Sequence, residues 1–139
     1  MTTIVVDASI AVKWLFPEIH TDAACRLLKS QRLLTAPDLI WAEIGNTVLK
    51  KFHQTEVTLE EARSILNDFR RFPLQIYSSQ SLLNSAWDLA QTLNITIYDS
   101  LYLALAVSKD CTLVTADRKF YNALEKSPFM SMLVWVEDI

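Results

Sequence analysis

The sequence predicts a three-layer α/β/α domain built around a parallel sheet. Short apolar runs rich in β-branched residues alternate with helical patterns along the chain, which is the order expected of βα units. The first run, residues 4–6, is Ile-Val-Val and has no polar face, as a strand covered on both sides requires. Of the 139 residues, 51% are hydrophobic and 21% are charged, so residues 1–139 are expected to form one compact domain with a real core.

The first strand and helix surround the most informative motif. Residues 4–6 run directly into Asp7-Ala8-Ser9, and residues 10–16 have a helical pattern. Asp7 would therefore stand at the carboxyl end of a buried strand, the edge at which open α/β sheets bind ligands. An aspartate before a helix is also a good N-cap, because its carboxylate accepts hydrogen bonds from the first free N–H groups. This motif alone leaves both roles open.

The next segments predict a second strand and a long helix. Residues 33–36 are a short strand candidate, and Pro37 is expected in the first turn of the helix that follows. That helix carries an apolar stripe at four-residue spacing, formed by Ile40, Ile44, Val48 and Phe52. Glu43 lies beside the stripe, so its side chain is predicted to touch the apolar face. A capping box at residues 58–61 opens another helix, and this helix-rich middle is expected to form an arm or an extra cover on the sheet.

The rest of the chain predicts three more strands, at residues 74–77, 113–115 and 132–136. Residues 97–107 are apolar almost all round and predict a buried helix, with Asp99 in its first turn. Asp117 directly follows the fourth strand and opens a short helix. Acidic residues thus recur where strands end and helices begin.

Composition excludes several classes of function. Gly45 is the single glycine, which excludes the glycine-rich phosphate loops of dinucleotide-binding and P-loop proteins. The net charge of −3 gives no general attraction to nucleic acid, so a nucleic-acid partner would need a local basic patch or a metal ion. Cys25 and Cys111 form no C-x-x-C pair and fit the reduced thiols of a cytosolic protein. With neither a signal-peptide pattern nor an apolar run long enough to cross a membrane, we expect a cytoplasmic protein with no membrane partner.

Four acidic residues form the candidate site. Asp7, Asp99 and Asp117 are predicted at one edge of the parallel sheet, and Glu43 lies on the long helix that follows the second predicted strand. Separately, each has an ordinary explanation as a helix cap, a partner of a helix dipole or a boundary residue. Together they would repel one another unless a cation were bound, and oxygen ligands without His or Cys select Mg²⁺ or Mn²⁺. Such a site is typical of phosphoryl transfer by a metal-activated water.

Four motifs resemble those of PIN-domain ribonucleases, in particular the VapC-type toxins of prokaryotic toxin–antitoxin pairs. They are Val-Val-Asp-Ala-Ser at residues 5–9, the Ala42-Glu43 helix, Tyr-Asp-Ser-Leu-Tyr-Leu-Ala-Leu-Ala at residues 98–106, and Leu-Val-Thr-Ala-Asp at residues 113–117. The resemblance covers nearly the whole chain and keeps the family's order. It implies a PIN-like domain with a five-stranded parallel sheet, a central first strand and helices on both sides. It also implies RNA cleavage with Mg²⁺ or Mn²⁺, a homodimer, and neutralisation by a cognate antitoxin protein.

Chemistry and the resemblance together suggest a role for each candidate residue. Asp7, Asp99 and Asp117 would hold one or two metal ions, and Glu43 would bind metal or position the attacking water. The hydroxyls of Ser9 and Thr115 would orient these groups. The cations beside the site, Arg118 and Lys119, are candidates for contact with the RNA backbone.

Two other interpretations stay open on the sequence alone. A Mg²⁺-dependent phosphoryl-accepting domain of the receiver type also has an acidic end to its first strand. It needs a phosphorylatable aspartate at the end of a middle strand, however, and residues 74–78 offer none. A non-catalytic PIN-like module that binds RNA or a protein partner would keep the fold without a working metal site.

Overall fold

The computed structural model describes residues 2–139, which form a five-stranded sheet surrounded by helices. The strands are β1 (Thr3–Val6), β2 (Leu33–Pro37), β3 (Leu74–Tyr77), β4 (Thr112–Thr115) and β5 (Leu133–Trp135). They lie in the order β3-β2-β1-β4-β5, and every neighbouring pair is parallel. The predicted parallel α/β fold with a central first strand is confirmed.

Seven α-helices connect or flank these strands in residues 2–139. They are α1 (Ala8–Leu15), α2 (Thr21–Leu28), α3 (Leu39–His53), α4 (Leu59–Phe69), α5 (Ser79–Leu93), α6 (Ile97–Lys109) and α7 (Arg118–Ala123). The predicted capping box is confirmed at the start of α4, where the Thr58 hydroxyl accepts from the Glu61 N–H and the Glu61 carboxylate accepts from the Thr58 N–H. Within residues 2–139, no helix is both long and apolar enough to cross a membrane.

The sheet is covered on both faces because successive side chains of a strand point in opposite directions. Ile4 and Val6 of β1 pack in one core cluster with α2, whereas Val5 packs in a second cluster with α3 and α6. All three side chains are at most 3% exposed. The result is the three-layer arrangement that the apolar first strand predicts. The predicted helical arm corresponds to α3 and α4, which pack against each other.

The prediction for Pro37 is wrong. Pro37 is the last residue of β2, paired with Tyr77, and α3 begins two residues later at Leu39. A proline has no N–H and cannot donate to a strand ladder. The N–H of Asp38 donates instead to the Tyr77 carbonyl oxygen at 2.8 Å, so the link between β2 and β3 continues past the proline.

The strand order fixes where a crevice forms. Strand β1 pairs with β2 on one side and with β4 on the other. The chain therefore leaves β1 and β4 on the same edge, and the order of strands changes direction at β1. Ligands bind at such a switch point, outside the carboxyl ends of the strands.

Candidate active site

Asp7, the residue after β1, has its carboxylate enclosed by hydrogen-bond donors. The hydroxyl of Ser9 donates to Oδ1 at 2.5 Å, and the hydroxyl of Thr115 donates to Oδ2 at 2.5 Å. The backbone N–H of Ile10 donates to Oδ1 at 3.3 Å, so Asp7 also caps α1. The two roles that the sequence left open, N-cap and member of an acidic crevice, are filled by the same side chain.

The directions of both hydroxyls are set by the turn that follows β4. The N–H of Ala116 donates to the Ser9 hydroxyl oxygen at 2.8 Å, and the N–H of Asp117 donates to the Thr115 hydroxyl oxygen at 3.0 Å. Because each oxygen accepts a backbone N–H, each hydroxyl hydrogen is directed to Asp7. The Asp7 carboxylate is therefore held from two neighbouring strands, by Ser9 just after β1 and by Thr115 at the end of β4.

Burial has the largest effect on the pKa of Asp7, a residue that is only 6% exposed. Desolvation raises its pKa to about 7, against the opposing effect of the hydrogen bonds from Ser9, Thr115 and Ile10. The nearby charge of Asp117 raises this pKa further. A carboxyl group balanced between its two protonation states near neutral pH, in a crevice, is a common mark of a functional site.

Asp99 lies in the first turn of α6 and faces the same crevice. Its own N–H donates to the hydroxyl of Thr96, the N-cap residue of α6, at 3.0 Å. Its pKa is raised to about 6, first by burial and then by the negative charges of Asp117 and Glu43. Lys119 acts in the opposite direction on this pKa, which places its ammonium group within electrostatic range of Asp99.

Asp117 is the most exposed of the four acids. Its Oδ1 accepts from the N–H of Phe120 at 3.2 Å, so it caps α7 while its charge acts on both Asp7 and Asp99. A helix cap and a charge in the crevice again coincide in one side chain.

Glu43 reaches the crevice from α3 through a contact that the sequence analysis missed. The hydroxyl of Tyr102, on α6, donates to Glu43 Oε1 at 2.5 Å. Burial raises the pKa of Glu43, and the hydrogen bond from Tyr102 lowers it. The only signal for Tyr102 in the sequence is its position three residues after Asp99, which places both side chains on one face of α6.

The two predicted RNA-contacting cations lie in different surroundings. The Arg118 guanidinium lies over the Trp135 ring, 3.7 Å from its centroid, and 5.5 Å from the centroid of Tyr121. Lys119 is exposed and acts electrostatically on Asp99. Of these two cations, Lys119 is therefore the one that acts on the acidic crevice, whereas the Arg118 guanidinium packs against the aromatic rings of Trp135 and Tyr121.

The side chains around the crevice offer oxygen atoms, which suits a hard divalent cation. Across residues 2–139, however, no three His, Cys, Asp or Glu side chains are arranged so that they could hold a metal ion as they stand. The acids share one electrostatic field but do not form a closed cage. The arrangement is thus an open acidic crevice with one carboxylate fixed from two sides.

The sequence of this chain matches a known protein family. The PIN domain family model matches residues 4–126. Ribonuclease VapC1 of Mycobacterium tuberculosis is 32% identical over 128 residues, which cover 88% of this chain and 92% of the relative. Ribonuclease VapC3 of Pyrobaculum aerophilum is 30% identical over 118 residues, which cover 84% of this chain and 90% of the relative.

The fold of this chain also resembles those of solved structures. The VapBC2 complex of Rickettsia felis bound to a DNA fragment from its promoter matches with a TM-score of 0.68 at 19% identity, covering 96% of this chain and 98% of that one. A toxin–antitoxin complex from Klebsiella pneumoniae matches with a TM-score of 0.65 at 19% identity, covering 98% and 99%. The family match over most of the chain, together with relatives at 30% identity or more, shows that this chain belongs to the PIN domain family.

Proposed function

We propose that this protein is a metal-dependent endoribonuclease of the VapC type, the toxin of a toxin–antitoxin pair, and that it acts in the cytoplasm. The observation that carries the proposal is the crevice beside β1, where two largely buried carboxylates with raised pKa values face two further acids. The names of the relatives support RNA as the substrate, since two proteins at 30% identity or more are called ribonucleases.

The donor atoms of the crevice fit Mg²⁺ or Mn²⁺. Asp7, Asp99 and Asp117 would hold the metal once their side chains turn toward a common point, since they do not converge on one as they stand. Glu43 would be either a further ligand or the group that positions the attacking water. When bound, a divalent ion would neutralise charge on the scissile phosphate and lower the pKa of a water molecule. Its charge would also offset the effects of burial and of the neighbouring negative charges, which raise the pKa values of Asp7 and Asp99.

The protein's own side chains prepare the crevice for this chemistry. The hydroxyls of Ser9 and Thr115 fix both oxygens of Asp7, so this carboxylate needs little reorganisation when the substrate arrives. Lys119 offers a positive charge that can attract a phosphate to a crevice that is otherwise negative. Arg118 is the weaker candidate for RNA contact, since its guanidinium would have to leave the Trp135 ring.

Cleavage assays test the proposal directly. Purified protein should cut RNA with Mn²⁺ or Mg²⁺ and stop on addition of EDTA, and Asp7→Asn should lose the activity. The matched control is Asp22→Asn, which removes an acid from the first turn of α2, away from the crevice. RNA cleavage that survives both EDTA and Asp7→Asn would contradict the proposal.

The second part of the proposal is an antitoxin partner. An acidic crevice attracts a basic peptide segment, and an arginine fork can bind carboxylates through two hydrogen bonds. One structure with this fold is described as a toxin–antitoxin complex, and another as VapBC2 bound to a DNA fragment from its promoter. Coexpression with the product of the neighbouring reading frame should suppress toxicity. Growth arrest that continues unchanged with this product present would argue against such a partner.

The third part is a homodimer. Leu83 and Trp87 lie four residues apart on α5 and are 49% and 56% exposed, so one face of this helix presents a large apolar surface to solvent. A second copy of the chain could bury it. Light scattering should give the mass of a dimer, and a Leu83→Ser/Trp87→Ser double variant should shift it toward the monomer. Gln91→Ser on the same helix is the control. A wild-type monomer at micromolar concentration would rule out this part of the proposal.

A further inference from the structure

We propose that Tyr102 is the positioning residue for Glu43, and that its buried hydroxyl holds the Glu43 carboxylate in a position where it can coordinate a metal ion. This inference rests on the proposed metal-dependent function. It assigns a role to a residue that neither the acidic motifs nor the cap positions of the fold explain.

The contact links two elements that the sequence separates by 59 residues. Tyr102 lies on α6, one turn after Asp99, and its side chain reaches Glu43 on α3. The distance of 2.5 Å is typical of a hydroxyl that donates to a charged carboxylate. Within residues 2–139, Glu43 is the only hydrogen-bond partner of this hydroxyl. The bond therefore sets the position of Glu43 relative to Asp99.

The burial of Tyr102 indicates that the hydroxyl, and not just the ring, is needed. The residue is 2% exposed and packs in the core cluster on the α3–α6 face of the sheet. A phenylalanine would fill this space without the cost of burying a polar group. The Tyr102 hydroxyl meets the Glu43 carboxylate at the junction of α3 and α6, on a residue that is almost completely buried. It supplies one hydrogen-bond donor to a group of acids that, when ionised, can only accept.

A purely structural role predicts a different outcome. If the bond only ties α3 to α6, its loss should lower stability and leave metal binding almost unchanged. If the bond positions Glu43, its loss should weaken metal binding even in a protein that remains folded. Removing an outer hydrogen-bond partner of a metal ligand typically lowers metal affinity about 10- to 100-fold.

The test is a calorimetric titration of metal-free wild type and Tyr102→Phe with Mn²⁺, after thermal melts of both. Tyr102→Phe keeps the ring and should fold. Its affinity for Mn²⁺ should fall about 10-fold or more. The control is Tyr77→Phe, which removes an exposed hydroxyl that donates to Gln75 on the edge strand β3 and should leave the affinity unchanged.

A second pair of titrations isolates the interaction with Glu43. In a Glu43→Ala background no carboxylate remains to be positioned, so adding Tyr102→Phe should have no further effect on affinity. If wild type binds no Mn²⁺, the proposed function fails and this inference fails with it. If wild type binds Mn²⁺ but Tyr102→Phe binds equally well or does not fold, or if its effect persists without Glu43, the positioning role alone is overturned.

Discussion

The two sides of the acidic crevice are built differently. On the side of β1 and β4, Asp7 is held by two hydroxyls and a backbone N–H, and each hydroxyl is held in turn by another N–H. On the side of α3 and α6, Glu43 has a single tether, from Tyr102. On the β1 and β4 side, a hydrogen-bond network holds both oxygens of Asp7. On the α3 and α6 side, a single hydrogen bond holds Glu43.

This difference suggests a division of labour. A carboxylate fixed from two strands gives the crevice a constant reference point, whereas carboxylates on helices can adjust to a metal ion or a phosphate. It also shows that helix capping and site formation are not alternatives. Asp7 and Asp117 cap helices and contribute their charges to the crevice, whereas Asp99 lies inside the first turn of α6, which is capped by Thr96.

The largest effect is expected from Asp99→Asn, because the charge of Asp99 is coupled to those of Asp117 and Glu43, and Thr96 is the N-cap residue of α6. Cleavage should fall more than about 100-fold, beyond the usual effect of an outer contact. The metal-free variant should be as stable as wild type or more stable, since one of the repelling charges is gone. Mg²⁺ should raise the Tm of wild type and raise that of the variant much less. Thermal melts with and without Mg²⁺ measure both effects.

The control for this comparison is Asp22→Asn, which also removes an acid from a first helical turn. Its melting temperature should respond to Mg²⁺ as that of wild type does. If millimolar Mg²⁺ shifts no melt at all, the metal site and the nuclease assignment should both be abandoned.

The next largest effect is expected on the β1 and β4 side of the crevice, where hydrogen bonds hold Asp7. Ser9→Ala and Thr115→Val each remove one donor to Asp7 and leave a backbone N–H without its acceptor. Each should lower the free energy of unfolding by about 1–3 kcal/mol and lower activity about 10- to 100-fold. Denaturant unfolding and cleavage rates measure these changes. Losses of stability without any loss of activity would mean that the network supports the fold alone.

An effect of intermediate size should appear in the pH dependence of stability. Burial raises the pKa values of Asp7 to about 7 and of Asp99 to about 6, above their usual value of 3.8. The folded, metal-free state therefore holds more protons than the unfolded state between these values, and the contribution of both groups to stability is lost as the pH rises from about 4 to about 7. Asp99→Asn should show a smaller fall in Tm across this window than wild type.

Metal should reverse this trend, because it binds the deprotonated carboxylates. The rise in Tm caused by Mg²⁺ should grow as the pH increases through the same window. Melts of wild type and Asp99→Asn at about pH 5.5 and about pH 7.5 separate the two effects. Identical slopes in the two proteins would show that Asp99 does not titrate in this range.

The smallest effect is expected at Gly45, on the helix that carries Glu43. A Cβ added there would meet no atom within 4 Å, so Gly45→Ala creates no clash inside the chain. Alanine is favoured over glycine in a helix interior by about 1 kcal/mol. The variant should unfold at a slightly higher denaturant concentration and bind Mn²⁺ as wild type does. A marked fall in affinity would show that the position of Glu43 depends on flexibility in α3.

Much of this architecture could be predicted because its signals are local. Short, mostly apolar runs mark all five strands, and the Thr58–Glu61 pattern marks the start of α4. The contact between Tyr102 and Glu43 could not be predicted, because it joins residues 59 positions apart through side-chain directions that sequence spacing does not encode. Arg118 shows the same limit. Its nearness to Asp117 in sequence suggested a role in the crevice, but the Trp135 ring, 17 residues later, engages its guanidinium.

The network around Asp7 also has a consequence for the timing of synthesis. The Thr115 hydroxyl meets Asp7 across 108 residues, and the Ala116 N–H meets Ser9 across 107. A nascent chain that has left the ribosome only as far as α6 carries Asp7, Glu43 and Asp99, but it lacks Thr115, which donates to Asp7, and Ala116, whose N–H donates to Ser9. The hydrogen-bond network around Asp7 can be completed only after β4 has emerged and paired with β1. Under the proposed function, an interrupted translation product that ends before β4 would be inactive toward the RNA of the cell that makes it.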